Sequence, residues 1–414
     1  MLDSSQTTAA GVAEKATFEV ADVFRLYGKT YRNTHRLLLE HRKVMDAIER
    51  CRTSALGGHV HRCDQCDYEH SFYNSCRDRH CPKCQTMAKE KWLSNRKAEL
   101  LPVSYFHVVF TLPHELNPLI LCNKFLMLDI LFAAVNDTLK AFAKDPQWRV
   151  EGRLGFIAVL HTWSQTLIDH FHLHLLIPAG VIDNQGQFKP LRESFLFRND
   201  SMAKLFCKRY VKRLQRAYNK DHIQWYGQTQ KFKDPKSFKE LICACQEKEW
   251  IIYTKEPFDG PIQVLKYLGR YTHRVAICNN RIVSIDKGKV IFTYKDRKHD
   301  NAIRTLPLNA DEFIRRFLLH VLPDGFMKIR YFGFLSSCIK RKSITLIRSQ
   351  LGIDESFRPP LKESVQEMML RLTGIDIRKC PRCKTGNLVL VATLSSTKLG
   401  QSNRGPPADP KLVL

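Results

Sequence analysis

Residues 160–178 read LHTWSQTLIDHFHLHLLIP, and within them His170, His172 and His174 alternate with Phe171, Leu173 and Leu175. Side chains on a β-strand switch faces with a period of two. The three imidazoles are therefore expected on one side of a strand and the apolar side chains on the other. Such a strand buries Phe171, Leu173 and Leu175 and offers His172 and His174 to a cleft, where two neutral imidazole nitrogens suit one divalent cation. A turn over residues 166–169 would fold a preceding strand, 156–165, back antiparallel, placing His161, Trp163 and Gln165 on the histidine face. Either Gln165 or His161 then supplies a third ligand, and Gln165 is preferred. An isolated His-x-His is more often the polar face of an ordinary strand; the rest of the chain tips the reading towards a metal site.

Lys and Arg number 66 against 41 Asp and Glu, a formal net charge of +25 over 414 residues. A chain this basic expects a polyanion, because neutralising phosphates releases condensed counterions, and nucleic acid is the first candidate. The length allows two or three domains with a sizeable core. Fourteen cysteines are present, six of them in three Cys-x-x-Cys pairs. That is poor material for a secreted disulfide framework and good material for metal binding in a reducing compartment. No basic segment followed by an apolar one opens the chain, and no apolar run approaches the roughly eighteen residues of a membrane span. A soluble cytoplasmic protein with no membrane partner is expected.

Cys63-x-x-Cys66 and Cys81-x-x-Cys84 lie in one dense cluster, HVHRCDQCDYEHSFYNSCRDRHCPKCQ. Two such knuckles supply four thiolates to one tetrahedral zinc, a closed structural site with no open position for catalysis. Cys51, His59, His61, His70, Cys76 and His80 remain, enough for a second zinc in which Cys76 and His80 are candidates. Arg62, Arg77, Arg79 and Lys83 would then face phosphates. Cys380-x-x-Cys383 stands alone, either half of a zinc site completed elsewhere or two unligated thiols.

Taken in order, residues 1–17 are expected as a disordered tail, 18–101 as a helical and zinc-binding DNA-binding domain and 102–335 as the catalytic sheet domain. Residues 336–394 are expected as a C-terminal helical region carrying the third Cys-x-x-Cys, and 395–414 as a second disordered tail. Residues 105–112, YFHVVFTL, are β-branched and aromatic between prolines and predict a central strand. Residues 88–101, 119–142, 201–219, 311–322, 339–351 and 361–372 have helical spacing, and a hairpin is expected around 286–288. Residues 262–274 read IQVLKYLGRYTHR, in which Tyr267 and Tyr271 are four apart, so both phenols leave one face of a helix. Such a pair is usually packing. Downstream of a His-x-His strand in a basic chain, it is read as a pair of nucleophiles.

The zinc knuckles, VVFTLP, HFHLHLLIPAG, YLGRYTHR and YFGFL, in that order, resemble the two-tyrosine HUH transposases of rolling-circle insertion sequences, the insertion-sequence family ninety-one. The resemblance implies an α+β HUH endonuclease fold, an antiparallel sheet flanked by helices and preceded by a small zinc-binding domain. It further implies His172 and His174 as ligands of Mg2+ or Mn2+, Tyr267 and Tyr271 as nucleophiles, and single-stranded DNA at element ends and target as substrate. The expected activity is cleavage and rejoining through a 5′-phosphotyrosine intermediate, with the tyrosyl ester conserving the bond energy; no GxxxxGK[ST] phosphate loop is present to supply any other source. A plasmid relaxase or rolling-circle replication initiator would use the same chemistry, although the zinc module argues against it. A non-catalytic zinc-dependent nucleic-acid-binding protein, its tyrosines packed or stacked on bases, is the reading from a different class. The pattern sets no oligomeric state.

Overall fold

In the computed structural model, residues 17–145, 147, 151–191, 196–258, 263, 269, 275–296, 299–353 and 363–396 are described. Helical spacing of apolar side chains gives α1 (Val20–Thr34) and α2 (Leu39–Arg50), which bury Val23, Phe24, Met45 and Ile48. Arg32 of α1 ties the pair together, donating to Asp46 and Glu49 at 2.8 Å each. The hairpin of β1 (Gly58–Cys63) and β2 (Glu69–Tyr73) follows, and then α3 (Pro82–Lys97). This helix starts earlier than its apolar spacing predicts. Cys81 is its N-cap and Pro82 sits in its first turn, where a missing N–H costs nothing, so the second knuckle is also the helix start.

The central layer is an antiparallel sheet. β3 (Tyr105–Thr111) leads to α4 (Asn117–Cys122) and α5 (Lys124–Phe142), and then to the long hairpin of β4 (Arg153–Trp163) and β5 (Asp169–Pro178). The expected single helix over 119–142 is broken at Asn123, whose carboxamide is drawn aside to donate to the Leu119 and Gln224 carbonyls and to accept from the Gln224 amide. Beyond β5 come β6 (Gly180–Ile182), β7 (Phe188–Pro190), α6 (Asn199–Asn219), α7 (Pro235–Glu247) and β8 (Ile252–Phe258). The strand order is β7-β6-β4-β5-β3-β8.

A second sheet, ordered β11-β10-β9, contains β9 (Ile282–Asp286), β10 (Lys289–Asp296) and β11 (Ala302–Asn309). Lys287 and Gly288 both have positive φ between β9 and β10, the requirement of a tight primed hairpin turn. α8 (Ala310–Leu319) then packs Phe313, Ile314 and Phe317 against α1 and this sheet. β12 (Ile329–Gly333) returns to the central sheet and pairs with β4, aligning Phe332 with Phe156. α9 (Lys340–Gln350) and α10 (Val365–Thr373) follow, and β13 (Leu388–Leu394) closes the chain by pairing with β1, giving a third sheet ordered β13-β1-β2.

Period two divides the central sheet into unlike faces. Val108, Phe110, Ala158, Leu160, Leu173 and Leu175 point into the main core beneath α5 and α6. The opposite face carries His107, His161, His172 and His174, with a smaller apolar cluster around Val159, Phe334 and Ile344. No helix among the described residues is long and apolar enough to cross a membrane.

Candidate active site and metal centres

Pairing register brings the histidines together. On β4 and β5, His161 lies directly opposite His172 and Val159 opposite His174, so the three imidazoles share one face. Their ligand nitrogens all lie within 4.8 Å of one another, and all three residues are buried. The Nε2 atoms of His172 and His174 are 3.1 Å apart. His172 Nδ1 is 2.9 Å from the carbonyl oxygen of His170, which can only accept, so this nitrogen carries the proton and Nε2 is left as a lone pair. His174 Nδ1 is 2.9 Å from His107 Nε2. When His107 accepts there, a second Nε2 lone pair faces the first. Close-set imidazole lone pairs in a buried site suit a shared cation, and imidazole with open positions suits a divalent first-row metal.

Gln165, the preferred third ligand, lies beyond the end of the strand that carries His161. β4 ends at Trp163 with a register shift after His161, and the turn begins at Ser164, two residues earlier than the side-chain pattern suggests. Gln165 therefore sits in the turn, its carbonyl accepting from Arg281 at 2.6 Å. Of the two candidates for a third ligand, His161 is the one whose ring nitrogens lie within 4.8 Å of those of His172 and His174. The half-buried His170 ring lies beside both His172 and His114, with centroids 4.7 and 5.4 Å away.

Trp163 stacks on His161 at 4.8 Å and is one of the residues lining a small cavity with Arg79, His80, Thr162, His320 and Lys328. Arg79 is pinned there by the carbonyls of Leu322, Pro323 and Phe326. Burial, with the neighbouring Arg79, pushes the Lys328 ammonium down to about 8. Burial likewise lowers His107 to about 4 and His320 to about 3, so both are neutral near pH 7. Arg79 and Lys328 make this cavity positively charged.

The cysteines divide differently from their order in the sequence. Cys81 and Cys84 join Cys51 and Cys76, while Cys63 and Cys66 join Cys380 and Cys383. Cys51 and Cys76 each lie 3.6 Å from Cys84 through sulfur, far beyond a disulfide bond. A tetrahedron with Zn–S bonds of about 2.3 Å has S···S edges of about 3.8 Å, so this group fits zinc. His80 is in neither group. Its Nδ1 lies 3.1 Å from Asp78 Oδ1 and its Nε2 accepts from the Leu322 amide, so its role is to join the zinc module to the sheet domain. The signal for Cys51, a single thiol at the end of a helix, was present among the leftover ligands but had no partner spacing to select it.

Residues 155–343 match a family model described as "Putative transposase", and residues 23–112 match the transposase zinc-binding domain of the IS91 type. The chain is 43% identical over 378 residues to the "Putative transposase y4qJ" of Sinorhizobium fredii, covering 90% of this chain and 94% of that one. The chain belongs to the IS91 family of transposases. It is also 30% identical over 298 residues to the transposase for insertion sequence element IS801 of Pseudomonas savastanoi pv. phaseolicola, covering 69% and 68% of the two chains. No solved structure matches the chain significantly.

For this transposase, a DNA-cleaving and rejoining enzyme, the matched regions take in the three histidines and the first four-cysteine group, but not Cys380 and Cys383. Tyr267 and Tyr271 lie outside the described residues, as does most of the helix expected over 262–274. Gly269 is described and is buried. A Cβ there would stand 2.7 Å from Leu93 of α3, so its backbone packs directly on the helix that begins at the zinc knuckle.

Proposed function

We propose that this transposase cleaves and rejoins single-stranded DNA at element ends and target through 5′-phosphotyrosine intermediates. The observation that carries the reading is the buried convergence of His161, His172 and His174, an arrangement with no packing role that an apolar trio would not serve better. These three residues would hold Mg2+ or Mn2+. A cation there supplies polarisation of a phosphate oxygen and offsets charge as it builds on phosphorus.

Tyr267 and Tyr271 are the proposed nucleophiles. The phenolic oxygen of one forms a bond to phosphorus as the bond to the 3′ oxygen breaks. The phenol loses its proton to solvent and the departing oxygen gains one, leaving a 5′-phosphotyrosine and a free 3′-hydroxyl. Attack by the 3′-hydroxyl of another strand reverses the exchange and frees the tyrosine, with no net consumption of bond energy. Two tyrosines allow one end to be held while another is exchanged. The net charge of +25 supplies attraction for the strand, and that work would be done in the cytoplasm.

The test is covalent capture. Incubated with single-stranded oligonucleotides from element ends and Mn2+, the protein should give an adduct that survives denaturation, and Y267F/Y271F should give none. An adduct persisting in that double variant, or none from the unaltered protein on any end sequence, overturns the proposal.

A further inference from the structure

Two knuckles far apart in the chain, one inside the matched zinc-binding region and one beyond it, meet sulfur to sulfur. Cys63 Sγ lies 3.7 Å from Cys383 Sγ, and Cys66 Sγ lies 3.8 Å from Cys380 Sγ. All four sulfurs fall within 4.8 Å of one another, with no disulfide among them. Those separations match the tetrahedral edge of about 3.8 Å expected around zinc. We propose that Cys63, Cys66, Cys380 and Cys383 hold a second structural zinc ion, which clasps the C-terminal arm to the N-terminal hairpin and makes the zinc-binding domain a composite of both ends of the chain.

The two halves are built alike. In the first knuckle the amide of Gln65 donates to Cys63 Sγ at 3.4 Å, and in the second the amide of Arg382 donates to Cys380 Sγ at 3.4 Å. Gly386 adds a third such bond, donating to Cys383 Sγ at 3.3 Å. Amides aimed at sulfur favour the thiolate, the form that binds a metal. Asp64 fastens the halves together by accepting from the Asn387 amide at 2.8 Å, and the Asp64 amide donates to the Asn387 carbonyl at 3.0 Å.

Packing gives the independent reason. β13 pairs with β1 from Gly58↔Leu394 to Cys63↔Leu388, yet no residue of β2 or β13 is buried. Val389, Leu390 and Val391 are about half exposed. A three-stranded sheet without a core cannot be held by apolar burial, and small modules of this kind take their folding energy from metal. The ends it joins are 314 residues apart between Cys66 and Cys380. A clip closing so long a loop removes more freedom from the unfolded chain than one within a single knuckle pair.

Zinc counting by native mass spectrometry on the full chain tests the proposal without DNA, so its result is separate from that of covalent capture. The unaltered protein should carry two zinc ions. C380S/C383S and C63S/C66S should each carry one, and combining these four changes should still leave one, because both pairs bind the same ion. C81S/C84S should also carry one, and joined to C380S/C383S it should carry none. As a milder change, C383H keeps a ligand at each corner; loaded with cobalt, it should retain two ions and show a spectrum shifted from all-sulfur towards mixed nitrogen and sulfur ligation. One ion in the unaltered protein, two ions remaining in C380S/C383S, or a C383H cobalt spectrum identical to that of the unaltered protein would each overturn it.

Discussion

His107 Nε2 on β3 lies 2.9 Å from His174 Nδ1 on β5, and both rings are buried. His174 can present an Nε2 lone pair towards His172 only in the tautomer where its Nδ1 carries the proton and His107 accepts it. His107 thus acts through another residue, holding the orientation and tautomer of a proposed ligand. Replacing His107 with Leu should weaken Mn2+ binding about 10- to 100-fold. His107→Gln, which retains an acceptor, should recover part of the loss. Calorimetric Mn2+ titration reads both, and unchanged affinity in the Leu variant would remove this role.

The third ligand separates two readings of one hairpin. His161→Ala should abolish measurable Mn2+ binding and the covalent adduct, since it takes away one of three converging nitrogens. Gln165→Ala should leave Mn2+ affinity within about twofold, because Gln165 lies in the turn past the end of β4, its carbonyl held by Arg281. The opposite ranking would return the site to the glutamine.

Why the sequence favoured Gln165 is a matter of register. Alternation within 170–175 needs no knowledge of any partner strand, so His172 and His174 were legible from local pattern. The residue facing them from β4 depends on where the turn begins, and the shift after His161 removes Gln165 from the strand. The same limit applies to the cysteines. Spacing identifies each knuckle, but which knuckles share a metal is set by long-range folding, which brings Cys51 from the end of α2 and Cys380 from beyond the sheet domain. β13 was hidden for a related reason. LVLVATL is a plain apolar run, and it is a strand because β1 offers it an edge.

Gly333, at the centre of YFGFL, has φ +59, and a Cβ there would overlap the Leu154 carbonyl oxygen where β12 meets β4. Both the backbone conformation and the close approach demand glycine. Gly333→Ala should destabilise the protein by at least about 2 kcal/mol, read as a lower urea midpoint. A midpoint matching the unaltered protein would show that this backbone relaxes freely.

His320 ties the end of α8 to the β4–β5 turn and should make the fold acid-sensitive. Its Nε2 is 3.0 Å from the Leu167 carbonyl, which it must serve as donor, and its Nδ1 is 3.3 Å from Thr162 Oγ1, from which it then accepts. Protonating Nδ1 would place a charge in a site where burial holds the group down to about 3. Above about pH 6.5 the ring is neutral in both folded and unfolded chains and adds no pH dependence. Between about 6.5 and 3 the unfolded chain takes up a proton that the folded chain refuses, so stability falls with pH by up to about 1.4 kcal/mol per pH unit from this group. Below about 3 the folded form is protonated too and the decline from His320 ends. His320→Gln keeps a donor for Leu167 and does not titrate. It should lower stability at pH 7 modestly but flatten the slope of unfolding free energy between pH 6 and 4 by close to one proton, measured by urea denaturation at a series of pH values. Parallel slopes for the variant and the unaltered protein would mean that His320 is charged in the fold or that its neighbours yield to the charge.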